Sequence, residues 1–113
     1  MEEAKLAIDL SDAVLAEMVR RLVEVYQPER IYLFGSVARG DADPDSDYDL
    51  LIIVPDDSAP DFRDPGRGYA VMRCLGRSGD FLVWTREAFE KRLHLKASLP
   101  STVLTEGKLL YAG

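Results

Sequence analysis

Between residues 12 and 26 the chain reads DAVLAEMVRRLVEVY, and Val14, Leu15, Met18, Val19, Leu22, Val23 and Tyr26 recur at the spacing of one helix face. Glu17 with Arg21 and Arg20 with Glu24 fall four apart on the opposite, wet side. Ser11 or Asp9 can cap the first turn, and Pro28 ends the helix by restricting Gln27. The pattern then changes. RIYLF (30–34) is short, β-branched and aromatic and is halted by Gly35, so it predicts a strand entering a tight turn. YDLLIIV (48–54) is apolar on both faces, the mark of a strand inside its sheet. PDDSAPDFRDPGRG (55–68) has loop composition. Beyond it the expected elements are a short helix over 69–75 closed by Gly76, a strand DFLVWT (80–85), a helix REAFEKRLHL (86–95) and a final short strand or extended segment KLLY (108–111). The order predicts an α+β, mixed α/β fold: a small sheet of three to four strands covered by helices, with the chemistry where strand ends meet loops.

At 113 residues, 47% hydrophobic and 30% charged, residues 1–113 are expected to form a single domain around one core. No apolar run approaches the roughly 20 residues that cross a bilayer, and the first residues are acidic where a secretory signal is basic, so a cytoplasmic location with no membrane association is expected. Cys74, the sole cysteine, permits no internal disulfide and reads as a small buried apolar residue. The net charge of −6 argues against a broad basic face for nucleic acid. An acidic chain that handles phosphate needs cations.

The candidate chemistry lies in GSVARGDADPDSDYDLLIIV (35–54), where Asp41, Asp43, Asp45, Asp47 and Asp49 alternate with other residues. An EF-hand loop fails in each register. Position six is Ser46, Tyr48 or Leu50 instead of glycine, and position twelve is Ile52, Val54 or Asp56 instead of glutamate. The Arg39-Gly40-Asp41 tripeptide spells an integrin-binding sequence, but nothing else in the chain suggests secretion. Asp41, Asp43 and Asp45 have turn composition. Asp47 and Asp49 differ, because at i and i+2 on the entry to an apolar strand they leave the same face, with Cα atoms roughly 6.5–7 Å apart. Two carboxylates closing on a half-buried surface repel unless a divalent cation lies between them, and oxygen-only ligands favour Mg²⁺, Mn²⁺ or Ca²⁺. Gly35-Ser36, at the end of the preceding strand, reads as a turn where glycine lets a phosphate approach the backbone and serine adds a hydroxyl. Together they suggest a triphosphate and metal site.

Gly35-Ser36, ten residues, then Asp47-Tyr48-Asp49 resembles the G-S-x10-D-x-D signature of the DNA polymerase beta-like nucleotidyltransferases. The fuller GSVARGDADPDSDYDLLI is similar to that of the minimal nucleotidyltransferases, many of which are antitoxins of HEPN/MNT toxin–antitoxin pairs. The resemblance implies a polymerase beta-like palm fold. It also implies that Gly35 and Ser36 hold the β and γ phosphates and that Asp47 and Asp49 bind Mg²⁺. The matching third carboxylate is Asp80, in SGDFLVWT, which would complete the second of two metal sites and help deprotonate the attacking hydroxyl. Arg39 either steadies a phosphate or pairs with the aspartates after it. The implied activity is transfer of AMP from ATP to a tyrosine of a HEPN toxin encoded nearby.

The loop 55–68 departs from the regular helix of relatives and leaves base recognition open. Larger relatives carry a helical second domain that 113 residues cannot hold, so the missing wall is expected from another chain, a hetero-oligomer with the toxin. Two alternatives stay open: a non-catalytic antitoxin that blocks its partner by occupying it, and transfer to a small molecule such as an antibiotic. Of the other candidates, His94, Trp84, Phe81 and Tyr48 are read as structural.

Overall fold

A computed structural model describes residues 13–35, 48–59, 63–71 and 79–113. The first helix, α1 (Ala13–Tyr26), buries Leu15, Met18, Val19, Leu22 and Tyr26, the stripe that the spacing requires. Arg20 pairs with Glu17 and Glu24 and Arg21 with Glu17 on its outer side, which lowers the Glu17 carboxyl to about 2 through its hydrogen bonds to the two guanidinium groups. The helix stops where Gln27 takes φ of +47° before the buried Pro28.

Four strands follow: β1 (Arg30–Phe34), β2 (Tyr48–Val54), β3 (Gly79–Thr85) and β4 (Lys108–Ala112), in the spatial order β3-β2-β1-β4. β1 lies antiparallel to β2 and β4, whereas β2 and β3 run parallel. A parallel pair needs a long crossover, and the connection from Val54 to Gly79 contains α2 (Pro65–Val71). Two further helices among the described residues, α3 (Arg86–Lys91) and α4 (Leu99–Glu106), lie between β3 and β4 in the chain. This is the expected mixed fold, at the upper end of the expected strand number.

Strand alternation sorts the core into two layers. Tyr48, Leu50, Ile52, Val54, Ile31, Leu33 and Phe81 meet α1 on one face. Tyr32, Leu51 and Ile53 meet Phe89 of α3 and Val103 of α4 on the other, where Tyr32 and Phe89 stack with ring centroids 5.7 Å apart.

Three expectations are corrected. α2 begins at Pro65, inside the stretch that loop composition covered. Asp64 accepts the Gly66 N–H at 2.9 Å and Pro65 occupies the first helical position, a start signal carried by two residues of turn type. Gly76 and Cys74 lie outside the described residues. α3 ends at Lys91 rather than residue 95, and the next residues form turns. α4 was not anticipated: Ser98 caps it by accepting the Ser101 N–H, Pro100 sits in its first turn, and Pro100 and Val103 are buried.

Tyr26 ties the first layer together. Its hydroxyl donates to the Asp64 carbonyl at 2.5 Å and accepts the buried Gly68 N–H at 2.8 Å, joining α1 to the start of α2. Burial pushes its pKa up. A raised tyrosine pKa favours the neutral form, so this contribution is complete below about pH 10 and is lost as the pH rises through the shifted value. Tyr26→Phe strands the Gly68 N–H and is expected to cost about 1–3 kcal/mol in urea unfolding at neutral pH, with the gap to wild type closing above about pH 10. An unchanged urea midpoint would show that the hydroxyl does not hold α2.

Candidate active site

β2 is buried at six of its seven positions, and the exception is Asp49. Asp49 pairs across the sheet with Phe34 on one side and with Asp80 on the other. Side chains of directly paired residues leave the same face, so Asp49 and Asp80 emerge together on the α3 and α4 side, from strands roughly 4.8 Å apart. Asp49 is half-buried and Asp80 exposed.

Gly35, next after Phe34, has φ of +79°, a backbone that residues with a Cβ rarely adopt. A Cβ built there would overlap Asp49 Oδ2 and lie 3.0 Å from its carboxyl carbon. In the fold the bare α-carbon of Gly35 makes room for the Asp49 carboxylate, and no sequence signal reveals this because the contact depends on the β1–β2 register.

Ser36, Arg39 and Asp47 lie outside the described residues, as do Asp41, Asp43 and Asp45. Of the expected site, the described residues therefore bring together Gly35, Asp49 and Asp80 at one end of the sheet. Among the described residues no three acidic, histidine or cysteine side chains gather as a metal cluster. The donors that do meet fit a hard divalent cation, because adjacent carboxylates on a partly buried face supply only oxygen and repel each other without a cation.

His94 stands exposed in the turn after α3 rather than within it. Tyr48 and Phe81 are core residues, and Trp84 packs against the second layer with the Arg92 guanidinium 5.8 Å from its ring centroid. A cavity of about 510 Å³ at the opposite end of the sheet is lined by Glu29, Arg30, Arg86, Phe89 and Glu90. There Arg86 is already paired with Glu29 at 3.1 Å and Asp56 at 3.4 Å.

Residues 15–109 match the family model described as a nucleotidyltransferase domain. No curated protein matches the chain in sequence. Among solved structures, a toxin–antitoxin crystallised with AMP-PNP is similar, with 24% identity and a TM-score of 0.58 over 86% of this chain and 73% of that chain. A Sulfolobus solfataricus protein assigned as a nucleotidyltransferase is 26% identical, with a TM-score of 0.49 over 70% of each chain.

The contact between Gly35 and Asp49 is testable by a double-mutant cycle. Gly35→Ala is expected to cost at least about 1–2 kcal/mol for its left-handed backbone, plus the clash. In an Asp49→Ala background the clash disappears, so the coupling measured in urea unfolding should be about 1 kcal/mol or more. Strict additivity of the two substitutions would mean that the carboxylate does not occupy this space.

Proposed function

The chain belongs to the nucleotidyltransferase domain family, and from this we propose that it transfers AMP from ATP to a hydroxyl, a tyrosine of a HEPN toxin encoded nearby, and so acts as the antitoxin. In this reading residues 1–113 form one minimal domain, and the toxin completes the pocket. The observation that carries the proposal is the abreast pairing of Asp49 with Asp80 beside the bare α-carbon of Gly35. The likeness to a toxin–antitoxin structure with AMP-PNP supports the choice of nucleotide and of partner.

Asp47, Asp49 and Asp80 would hold two Mg²⁺ ions. When bound, the ions supply positive charge that offsets the triphosphate and the charge developing at the α phosphorus. Asp49 would take its place in this set beside the bare α-carbon of Gly35. Gly35 and Ser36 would hold the β and γ phosphates, and Arg39 would steady one of them. Asp80, the exposed member of the pair, faces the acceptor and takes the proton of its hydroxyl. The hydroxyl oxygen forms a bond to the α phosphorus, the bond from that phosphorus to the bridging oxygen breaks, and pyrophosphate leaves.

Incubation with α-labelled ATP, Mg²⁺ and the protein encoded beside it is expected to label that partner, with labelling abolished by chelation and restored by Mg²⁺. Asp80→Asn should slow labelling by about 10²–10⁴-fold, the usual worth of a positioned proton acceptor. An unlabelled partner whose toxicity is still suppressed by Asp49→Asn would instead identify a blocking antitoxin.

A further inference from the structure

The two edges of the sheet are unequal. β4 is five residues long, opens on Lys108, and slips its register with β1 between Ile31 and Tyr32. Shortness, a lysine and an irregular ladder are the devices that keep an edge from accepting a foreign strand. β3 has none of them: it runs seven residues in unbroken parallel register with β2 and contains neither lysine nor proline. Parallel strands usually lie inside a sheet, yet among the described residues β3 pairs on one side only.

Tyr69 of α2 guards one point of this margin. Its hydroxyl accepts the Phe81 N–H at 3.2 Å, and its ring lies 4.8 Å from that of Phe81. Backbone groups alternate sides along a strand, so Val83 and Thr85 also turn theirs outward, beyond Tyr69. Beside them an open cavity of about 400 Å³ is lined by Arg63, Val83, Trp84, Thr85, Ala88 and Arg92. Among the described residues neither arginine pairs with a carboxylate, in a chain of net charge −6. Along the face shared by Asp80 and Trp84, the intervening Leu82 is 39% exposed.

We propose that the outer margin of β3 docks an extended segment of the acceptor protein. The segment pairs its backbone with Val83 and Thr85, sets an acidic side chain against Arg63 and Arg92, and carries its acceptor hydroxyl past Leu82 to Asp80. The docking rests on the reading that the acceptor is a protein. The charge of the groove selects an acidic segment, and the strand sets the spacing. Asp80 and Trp84 are four residues and about 13 Å apart. An extended chain covers that length in four residues, and even separations keep two side chains on one face, so acid and hydroxyl should stand four positions apart.

Trp84 is the only tryptophan, so its fluorescence reads the groove directly in the full chain. Synthetic decapeptides of equal net charge, each with one tyrosine and one glutamate separated by three, four or five positions in either order, serve as probes. The four-position peptides are expected to bind at least about tenfold tighter than the others, and Val83→Pro, which removes an outward N–H, should erase that preference. Because Val83 also packs against the first layer, Arg92→Glu is the second variant. It should raise the KM for the toxin by about tenfold at unchanged thermal midpoint, with calorimetry replacing fluorescence.

Equal binding at all three separations, or competition of AMP-PNP alone for the peptide, would overturn the docking. Labelling of the toxin by both variants at wild-type KM would overturn it while leaving AMP transfer intact. Tight binding of the four-position peptide and of the toxin without any labelling would keep the docking and remove the transfer reading instead.

Discussion

The fold depends on the burial of β2. This strand has a neighbour on each side and a packed layer on each face, so Leu50, Leu51, Ile52, Ile53 and Val54 are all almost wholly excluded from water. Each such side chain contributes about 1.5–3 kcal/mol when buried, so the strand carries a large share of the stability. It also fixes both registers, because a slip of one residue would carry Asp49 into the first layer and Tyr48 out of it. The one polar position that this burial leaves is the position where the candidate site stands.

From that constraint the geometry of the site follows outward. The β1–β2 register brings Gly35 against the Asp49 carboxylate, and the β2–β3 register brings Asp80 alongside it. Neither acid is placed by a loop. Both stand on strands, β2 buried between the two core layers and β3 anchored to them by Phe81, Val83 and Trp84, and rigid elements position reacting groups better than loops do. The stacked Tyr32 and Phe89 and the buried Val103 anchor α3 and α4 on the face from which the carboxylates emerge. The carboxylate end stays accessible at Asp80 and Leu82.

The second layer also shows why short elements escape a reading by periodicity. α4 shows two buried residues, Pro100 and Val103, too few to display a helical repeat, although Ser98 and Pro100 mark its start. α2 begins in Asp64-Pro65, a pair that reads as turn composition until Tyr26, 38 residues earlier in the chain, supplies the hydroxyl that accepts Gly68 and holds the Asp64 carbonyl. Such contacts span the sequence and leave no local trace. The long apolar stripe of α1 and the unbroken run of β2 were legible because each element carries its whole pattern within itself.

The amino-acid sequence by itself determined α1, the first three strands and the interior character of β2, since helical and strand periods are local properties of the chain. It also set the acidic balance that requires cations for any phosphate chemistry. Only the tertiary structure decided that β2 and β3 run parallel with Asp49 abreast of Asp80, that Gly35 yields its space to a carboxylate, and that, among the described residues, β3 pairs with a strand on one side only. These depend on register, which is settled by how two distant layers bury the same sheet and not by any run of neighbouring residues.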